Sequence, residues 1–145
     1  MKSTERAEEV MITGFFKVFT NLQSFKAEGS FEGWIRRIMV NQCISQLRKD
    51  KKLDFNDTTV IENSIEHVSY QETNFEVDEI QKIIDTLPNG YKTVFVLHAI
   101  EGYKHSEISE LLQISESTSK TQLFKARKLL QKQITAQQKI KYGTH

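Results

Sequence analysis

The sequence contains one cysteine, one proline and six glycines, and it has no long apolar run. Cys43 alone cannot form an internal disulfide framework, so a reducing compartment is expected. A membrane-spanning helix needs about 20 consecutive apolar residues, and the N-terminus lacks the apolar core of a secretory signal. These absences predict a cytoplasmic protein.

Patterns for catalysis, metal binding and cofactor binding are also missing. The histidines His67, His98, His105 and His145 show no spacing with cysteine or carboxylate that is typical of a metal site. Gly102 lies between His98 and His105, which makes a shared metal unfavourable. The sequence has no nucleophile paired with a base and no phosphate-binding loop. It predicts a protein that is not an enzyme and has no metal, cofactor or small-molecule substrate.

Apolar residues recur at helical spacing through most of the chain. The first two such segments are 5–22 and 30–48, and Ser30 is placed to cap the second. Four more helical patterns follow, at 76–87, 89–102, 106–113 and 116–134. No alternating strand pattern separates them, so the predicted fold class is all-α.

An acidic segment divides the helical patterns into two groups. From Leu53 to Glu79 the chain carries carboxylates but no lysine or arginine, and its periodicity is weak. We therefore predict two small helical bundles. The first is residues 1–52, joined by an acidic linker, 53–75, to a four-helix domain, 76–134, and a polar tail, 135–145.

The segment from His105 to Leu130 has the pattern of a helix-turn-helix. A short helical pattern ends near Leu112, and Ser115 can cap the helix that follows almost at once. The core face of the second helix is predicted to be Ser119, Leu123, Ala126, Leu130 and Ile134. The opposite face is polar and basic, with Thr118, Thr121, Lys125, Lys128 and Lys132. Such a helix can enter a major groove, although an ordinary solvated lysine face is the alternative.

Three stretches together resemble the extracytoplasmic-function sigma factors of bacterial RNA polymerase. They are "EGSFEGWIRRIMVNQCISQLRKDKK" (28–52), "LPNGYKTVFVLHAIEGYKHSEISELL" (87–112) and "ISESTSKTQLFKARKLL" (114–130). The resemblance implies that the first domain is sigma region 2, which binds core polymerase and reads and melts the minus-ten element. The second domain is then region 4, which reads the minus-thirty-five element. The implied function is to direct polymerase to specific promoters.

The resemblance also implies partners and site residues. The partners are core polymerase, through its clamp and flap, double- and single-stranded promoter DNA, and a membrane-associated anti-sigma factor. The minus-thirty-five residues are Thr118, Lys120, Thr121, Gln122, Lys125 and Lys128. The core-polymerase residues are Glu8, Glu9, Phe16 and Lys17. The loop Phe25–Gly29 matches the family's loop that receives a flipped base.

The minus-ten residues have support from spacing as well. Arg37, Asn41 and Arg48 fall on one narrow stripe of the helix 30–48, away from its apolar face. Arginines can hold phosphates, and the amide of Asn41 can both donate to and accept from a base edge. A solvated helix face is the alternative. Trp34 and the phenylalanines are predicted to be core residues rather than base-stacking platforms, and Cys43 a buried small hydrophobe.

The sequence departs from the family pattern at three places. It begins near the middle of the first bundle, so the N-terminal part of that domain is expected to be missing, which would expose Phe15, Phe16, Val18 and Phe19. Lys104 stands where the family has a capping serine, and Gln113 where it has a turn glycine. We expect each of the last two to cost about 1 kcal/mol.

Two other functions remain open on the sequence. The chain could be a stand-alone helix-turn-helix regulator that binds DNA as a dimer without polymerase, or a scaffold that does not bind DNA. A dimeric regulator usually has an extra apolar face, whereas the final segment "TAQQKIKYGTH" is short and polar.

Overall fold

The computed structural model describes residues 4–55 and 76–143, which fall into two compact units, Met1–Leu53 and Asp54–His145. Unit 1 contains α1 (Thr4–Thr20), a short 3-10 turn (Leu22–Ser24) and α2 (Phe31–Lys49). The helices of unit 2 are α3 (Val77–Asp85), α4 (Asn89–Phe95), α5 (His105–Leu112) and α6 (Glu116–Tyr142). The described residues contain helices and no strand, and the predicted all-α class is confirmed. Most of the predicted acidic linker, 56–75, lies outside the described residues.

A small core and an ion pair between Arg6 and Asp50 join the two helices of unit 1. Val10 and Val18 of α1 and Ile44 of α2 are buried. The guanidinium of Arg6 donates to both carboxylate oxygens of Asp50, at 2.6 and 3.3 Å, and so joins α1 to the end of α2. Ser30 Oγ accepts a hydrogen bond from the Gly33 amide at 3.2 Å, which confirms the predicted cap.

Several phenylalanines are on the surface: the exposure expected at Phe15, Phe16 and Phe19 is observed, whereas the prediction of Phe31 as a core residue is wrong. Phe16 and Phe19 are 67% and 69% exposed, and Phe15 and Phe31 are also exposed. Val18 was expected among the exposed residues, but it is buried because it lies on the side of α1 that packs on α2. Helical periodicity shows which face is apolar, but it does not show whether another element covers that face.

The core of unit 2 forms where α3 and α4 pack on the middle of α6. It consists of Ile83, Ile84, Leu87, Tyr91, Ala126 and Leu130. Ile108, Leu112 and Leu123 extend the buried set to α5 and the first half of α6. The predicted core face of α6 is confirmed at Ser119, Leu123, Ala126 and Leu130, while Ile134 is partly buried against the core.

Two helices of unit 2 differ from their predicted bounds. The pattern at 89–102 becomes a π-helical turn at Val96–Ile100 and stops at Gly102, whose φ is +77°. Helix α6 continues past Ile134 to Tyr142 and stops at Gly143, whose φ is +58°. Residues 135–142 contain no glycine or proline and several strong helix formers, so the segment predicted only as a polar tail is helical.

Candidate nucleic-acid interface

A tight turn at 113–115 joins α5 to α6. Gln113 adopts the left-handed conformation (φ 56°, ψ 46°), and the N–H groups of Gln113 and Ile114 both donate to the carbonyl of Ser109. Ser115 Oγ then accepts from the Thr118 amide at 3.0 Å, which confirms the predicted cap. The two helices and this turn form a helix-turn-helix.

The N-terminal end of α6 presents polar side chains to solvent. Lys120 and Thr121 are exposed, and Thr121 Oγ1 donates to the Ser117 carbonyl at 3.0 Å, which leaves its own lone pairs available. Thr118 is half-buried at the edge of this face, and its hydroxyl lies 2.8 Å from Ser115 Oγ. Lysine and hydroxyl groups placed in this way can meet phosphates and base edges.

Two further lysines of α6 are half-buried. Lys125 Nζ lies 6.0 Å from the centroid of the Tyr91 ring, and Lys128 Nζ lies 5.5 Å from that of Phe124. Both distances are near the outer limit of about 6 Å for a cation–π contact, so these contacts are weak. Aliphatic stems packed on the domain leave the ammonium groups at its surface.

Gln122 does not belong to the DNA-binding face, and its assignment there is wrong. The residue is 2% exposed, and its Nε2 donates to the carbonyl of Phe55 at 3.5 Å. Gln122 Oε1 is buried and has no hydrogen-bond partner among the described residues. On a helical wheel Gln122 lies about 40° from Ala126, at the edge of the core face, and this geometry was the signal that could have excluded it.

A pocket of about 350 Å³ opens in unit 1 beside the predicted minus-ten residues. Asn41 lines the pocket, Arg37 is half-buried, and Arg48 is exposed further along α2. The full lining is Lys17, Asn21, Ser24, Trp34, Ile38, Asn41 and Gln42. Gln42 Oε1 is buried without a hydrogen-bond partner in the described part of the chain, so a polar group at this pocket lacks a donor.

Aromatic rings cluster around the start of the loop Phe25–Gly29. The centroid of the Phe25 ring lies 5.3 Å from that of Phe31 and 5.4 Å from that of Trp34, and the Phe31 and Trp34 rings stack at 5.8 Å. Phe25 and Trp34 are half-buried and Phe31 is exposed, so the cluster has an accessible side. This surface was not predicted, although these aromatics flank one polar loop in the sequence, which was the signal for it.

The predicted polymerase residues are all exposed on α1. Glu9 and Phe16 lie two helical turns apart on one side, and Glu8 and Lys17 flank them. Lys17 also lines the pocket with Asn41. The structure therefore brings a predicted polymerase residue next to a predicted minus-ten residue.

Neither a metal site nor a membrane-spanning helix occurs in residues 4–55 and 76–143. These ranges contain no group of three or more histidine, cysteine, aspartate or glutamate side chains that could hold a metal ion. None of their helices is long and apolar enough to cross a membrane.

Cys43 is half-buried rather than fully buried, and its burial raises the pKa of the thiol.

Both units match established protein families. Residues 1–53 match "Sigma-70 region 2", and residues 78–130 match "Sigma-70, region 4". The RNA polymerase sigma factor SigV of Bacillus subtilis is 28% identical over 136 residues, which cover 93% of this chain and 80% of the relative. The ECF RNA polymerase sigma factor SigW of the same organism is 28% identical over 150 residues, covering 91% and 77%. The chain belongs to the extracytoplasmic-function sigma factors.

This sigma factor therefore acts in the initiation of transcription. Its fold is similar to that of the sigma factor RpoE of Bartonella quintana, solved in complex with the anti-sigma factor NepR. The TM-score is 0.62 at 20% identity, and the match covers 93% of this chain and 84% of that one.

Proposed function

We propose that this sigma factor directs core RNA polymerase to promoters through two DNA-binding surfaces, one on each unit. Region 4 binds the minus-thirty-five element with Thr118, Lys120, Thr121, Lys125 and Lys128. The observation that carries the proposal is the capped helix α6, whose N-terminal end exposes Lys120 and Thr121 beside the α5–α6 turn. A helix presented in this way can enter the major groove.

Region 2 binds the minus-ten element along α2. Arg37 and Arg48 hold the phosphate backbone, and Asn41 reads a base at the pocket. Extrusion of a base costs a few kcal/mol, which the pocket offsets with polar groups and an aromatic wall. Lys17, Asn41 and Gln42 supply the polar groups, and Trp34 supplies the wall.

The exposed face of α1 is the proposed contact with the polymerase clamp. Phe16 supplies an apolar anchor, and Glu8, Glu9 and Lys17 supply a charged rim around it. We extend the proposal to contact with the polymerase flap and to regulation by an anti-sigma factor associated with the membrane. The protein would act in the cytoplasm without catalytic chemistry of its own. Its domains would be 1–52, 76–134 and the linker 53–75, followed by residues 135–145.

The test is binding of the full chain to a minus-thirty-five duplex selected from random sequence by the protein with core polymerase. Lys120→Ala should weaken binding and lower the salt slope by about 1, since one phosphate contact is lost. Lys139→Ala is the control, because it removes the same charge near the far end of α6. Unchanged affinity in a combined Lys120→Ala, Thr121→Ala and Lys125→Ala variant would contradict the proposal.

A sigma factor needs core polymerase to act at a promoter, whereas a stand-alone regulator binds DNA without it. Run-off transcription with and without core enzyme separates the two functions. A sigma factor gives promoter-specific transcripts only with core polymerase, whereas a stand-alone regulator alters transcripts that another sigma factor initiates.

A further inference from the structure

A half-buried polar contact joins the two helices of the helix-turn-helix. His105 is the first residue of α5, and its Nδ1 lies 2.8 Å from the Oγ of Ser119 on α6. Ser119 is 0% exposed and lies one residue before Lys120. A buried hydroxyl without a partner is costly, so this hydrogen bond restricts how α6 can rotate against α5.

The other side of His105 is covered by a second imidazole. The ring of His98, from the π-helical turn, stacks on His105 with centroids 4.6 Å apart and planes inclined by 22°. His98 Nδ1 is buried and has no hydrogen-bond partner among the described residues. His105 is therefore held between an element that precedes α5 and the helix that follows it.

The surroundings of His105 oppose a positive charge on its ring. Burial is the largest cause that lowers its pKa, followed by His98 and then by Lys120 and Arg127 of α6. Glu116 raises the pKa of His105, but its effect is the smallest of these. The neutral ring is thus the form that this packing favours.

We propose that neutral His105 is a positioning residue for minus-thirty-five recognition, which holds α6 through Ser119 and makes promoter binding sensitive to acid. The proposal rests on the proposed function of α6. Protonation places a cation against His98 and beside Lys120 and Arg127, so the stack loosens and α6 loses its fixed orientation. Lys120 and Thr121 are then misaligned for the groove.

The direction in which stability changes with pH follows from the linkage between protonation and folding. Because the pKa of His105 is lowered in the folded protein, the unfolded chain binds more protons just below the ordinary histidine value. Stability is therefore complete above that value and falls as the pH drops through the lowered pKa. Promoter binding should fall as the pH drops through the lowered pKa, because the protonated ring of the folded protein misaligns α6.

The first test compares the natural chain with His105→Asn and His105→Ala on one minus-thirty-five duplex. Asparagine keeps a polar group near Ser119 but does not titrate, so it should bind more tightly than alanine at every pH. Between about pH 7.5 and about pH 5.5 the natural protein should lose at least about threefold more affinity than His105→Asn. Parallel pH profiles would overturn the proposal, and so would relative tightening of the natural protein in acid.

A second measurement does not depend on DNA. The imidazole of His105, followed by NMR in the full chain, should titrate below the ordinary histidine range, and His98→Asn should raise that midpoint. An ordinary midpoint, or one that His98→Asn leaves unchanged, would overturn the proposal. If Lys120→Ala has no effect on DNA binding while these NMR shifts occur, the proposed function of α6 fails but the packing of His105 stands.

Discussion

At the scale of single residues, the turn of the helix-turn-helix contains a residue in a backbone conformation that suits glycine better. Gln113 has φ 56°, and a left-handed conformation costs a side-chain-bearing residue about 1–2 kcal/mol. Gln113→Gly should therefore raise the free energy of unfolding of unit 2 by about 1 kcal/mol, after the added entropy of the unfolded chain is counted.

Chemical denaturation of the full chain measures this change. Glu110→Gly, at an exposed position inside α5, is the matched control and should destabilise by about 1 kcal/mol. A loss of stability in both variants would show that the left-handed residue is not the source of strain.

Two glycines, Gly90 and Gly14, differ in what an added methyl group would meet: backbone at the first and a flexible side chain at the second. A Cβ at Gly90 would lie 2.6 Å from the Asp54 carbonyl oxygen and 3.3 Å from Gln122 Oε1. Gly90→Ala should destabilise unit 2 by about 1–3 kcal/mol, because backbone cannot move aside cheaply. A Cβ at Gly14 would instead meet the thioether end of Met39, which can change rotamer.

Gly14→Ala should therefore change stability by less than about 1 kcal/mol, since helix propensity offsets the repacking. Thermal unfolding of both variants is the measurement. Equal losses in the two would contradict the distinction between backbone and side-chain neighbours.

At the scale of helices, the ion pair between α1 and α2 predicts a pH dependence. The hydrogen bond from Arg6 is the main cause that lowers the pKa of Asp50, and Gln46 and Lys52 add to it. Stability from this pair is present above the ordinary aspartate pKa and is lost as the pH falls through the lowered value.

Melting curves between about pH 6 and about pH 3 measure this dependence. Asp50→Asn should melt lower than the natural protein near pH 6, and the difference should shrink as the solution becomes more acidic. A difference that stays constant with pH would mean that Arg6 does not act through the charge of Asp50.

Helix starts were predictable because they depend on neighbouring residues alone. Ser30 and Ser115 each precede a helical pattern, and a capping hydroxyl needs only an amide three residues ahead. The π-helical turn after Phe95 was not predictable, because its hydrogen bonds leave no signature in apolar spacing. The length of α6 was missed because the apolar spacing ends at Ile134, whereas strong helix formers continue the helix to Tyr142.

The candidate site was predictable only where local helical spacing determines which side chains face outward. A period of 3.6 residues placed Thr121 on the outer face of α6, and the family resemblance added Lys120; the structure has both side chains exposed. Gln122 was included by resemblance alone although it lies at the edge of the core face, and the packing of Phe55 and Gly90 on it shows that it is internal. The pocket beside Asn41 joins residues of α1 and α2, and the His98–His105 stack depends on how the chain turns between these two residues. Apolar spacing reports neither arrangement.

At the scale of the whole molecule, the two proposed DNA surfaces should act at different steps of initiation. Lys120→Ala should weaken formation of the closed promoter complex, because it removes a contact with duplex DNA. Asn41→Ala should mainly slow strand opening, because it removes a partner for an unstacked base. We expect each effect to be about tenfold, equivalent to one lost contact of about 1–3 kcal/mol.

Permanganate footprinting and run-off transcription with core polymerase separate these steps. Lys139→Ala serves again as the control with an altered charge away from both surfaces. The same kinetic defect in Lys120→Ala and Asn41→Ala would contradict this division of roles.

Helix α6 is continuous, so a rotation at one end moves the other end. Its 27 residues span about 40 Å at 1.5 Å per residue, so a small rotation at the Lys120 end becomes a displacement of several ångströms at Gly143. A fluorescent dye attached near Gly143 would therefore move by several ångströms when the Lys120 end of α6 changes its angle on DNA. Its distance to a second dye on the promoter would then report the angle at which the helix meets the groove, without altering any residue that touches DNA.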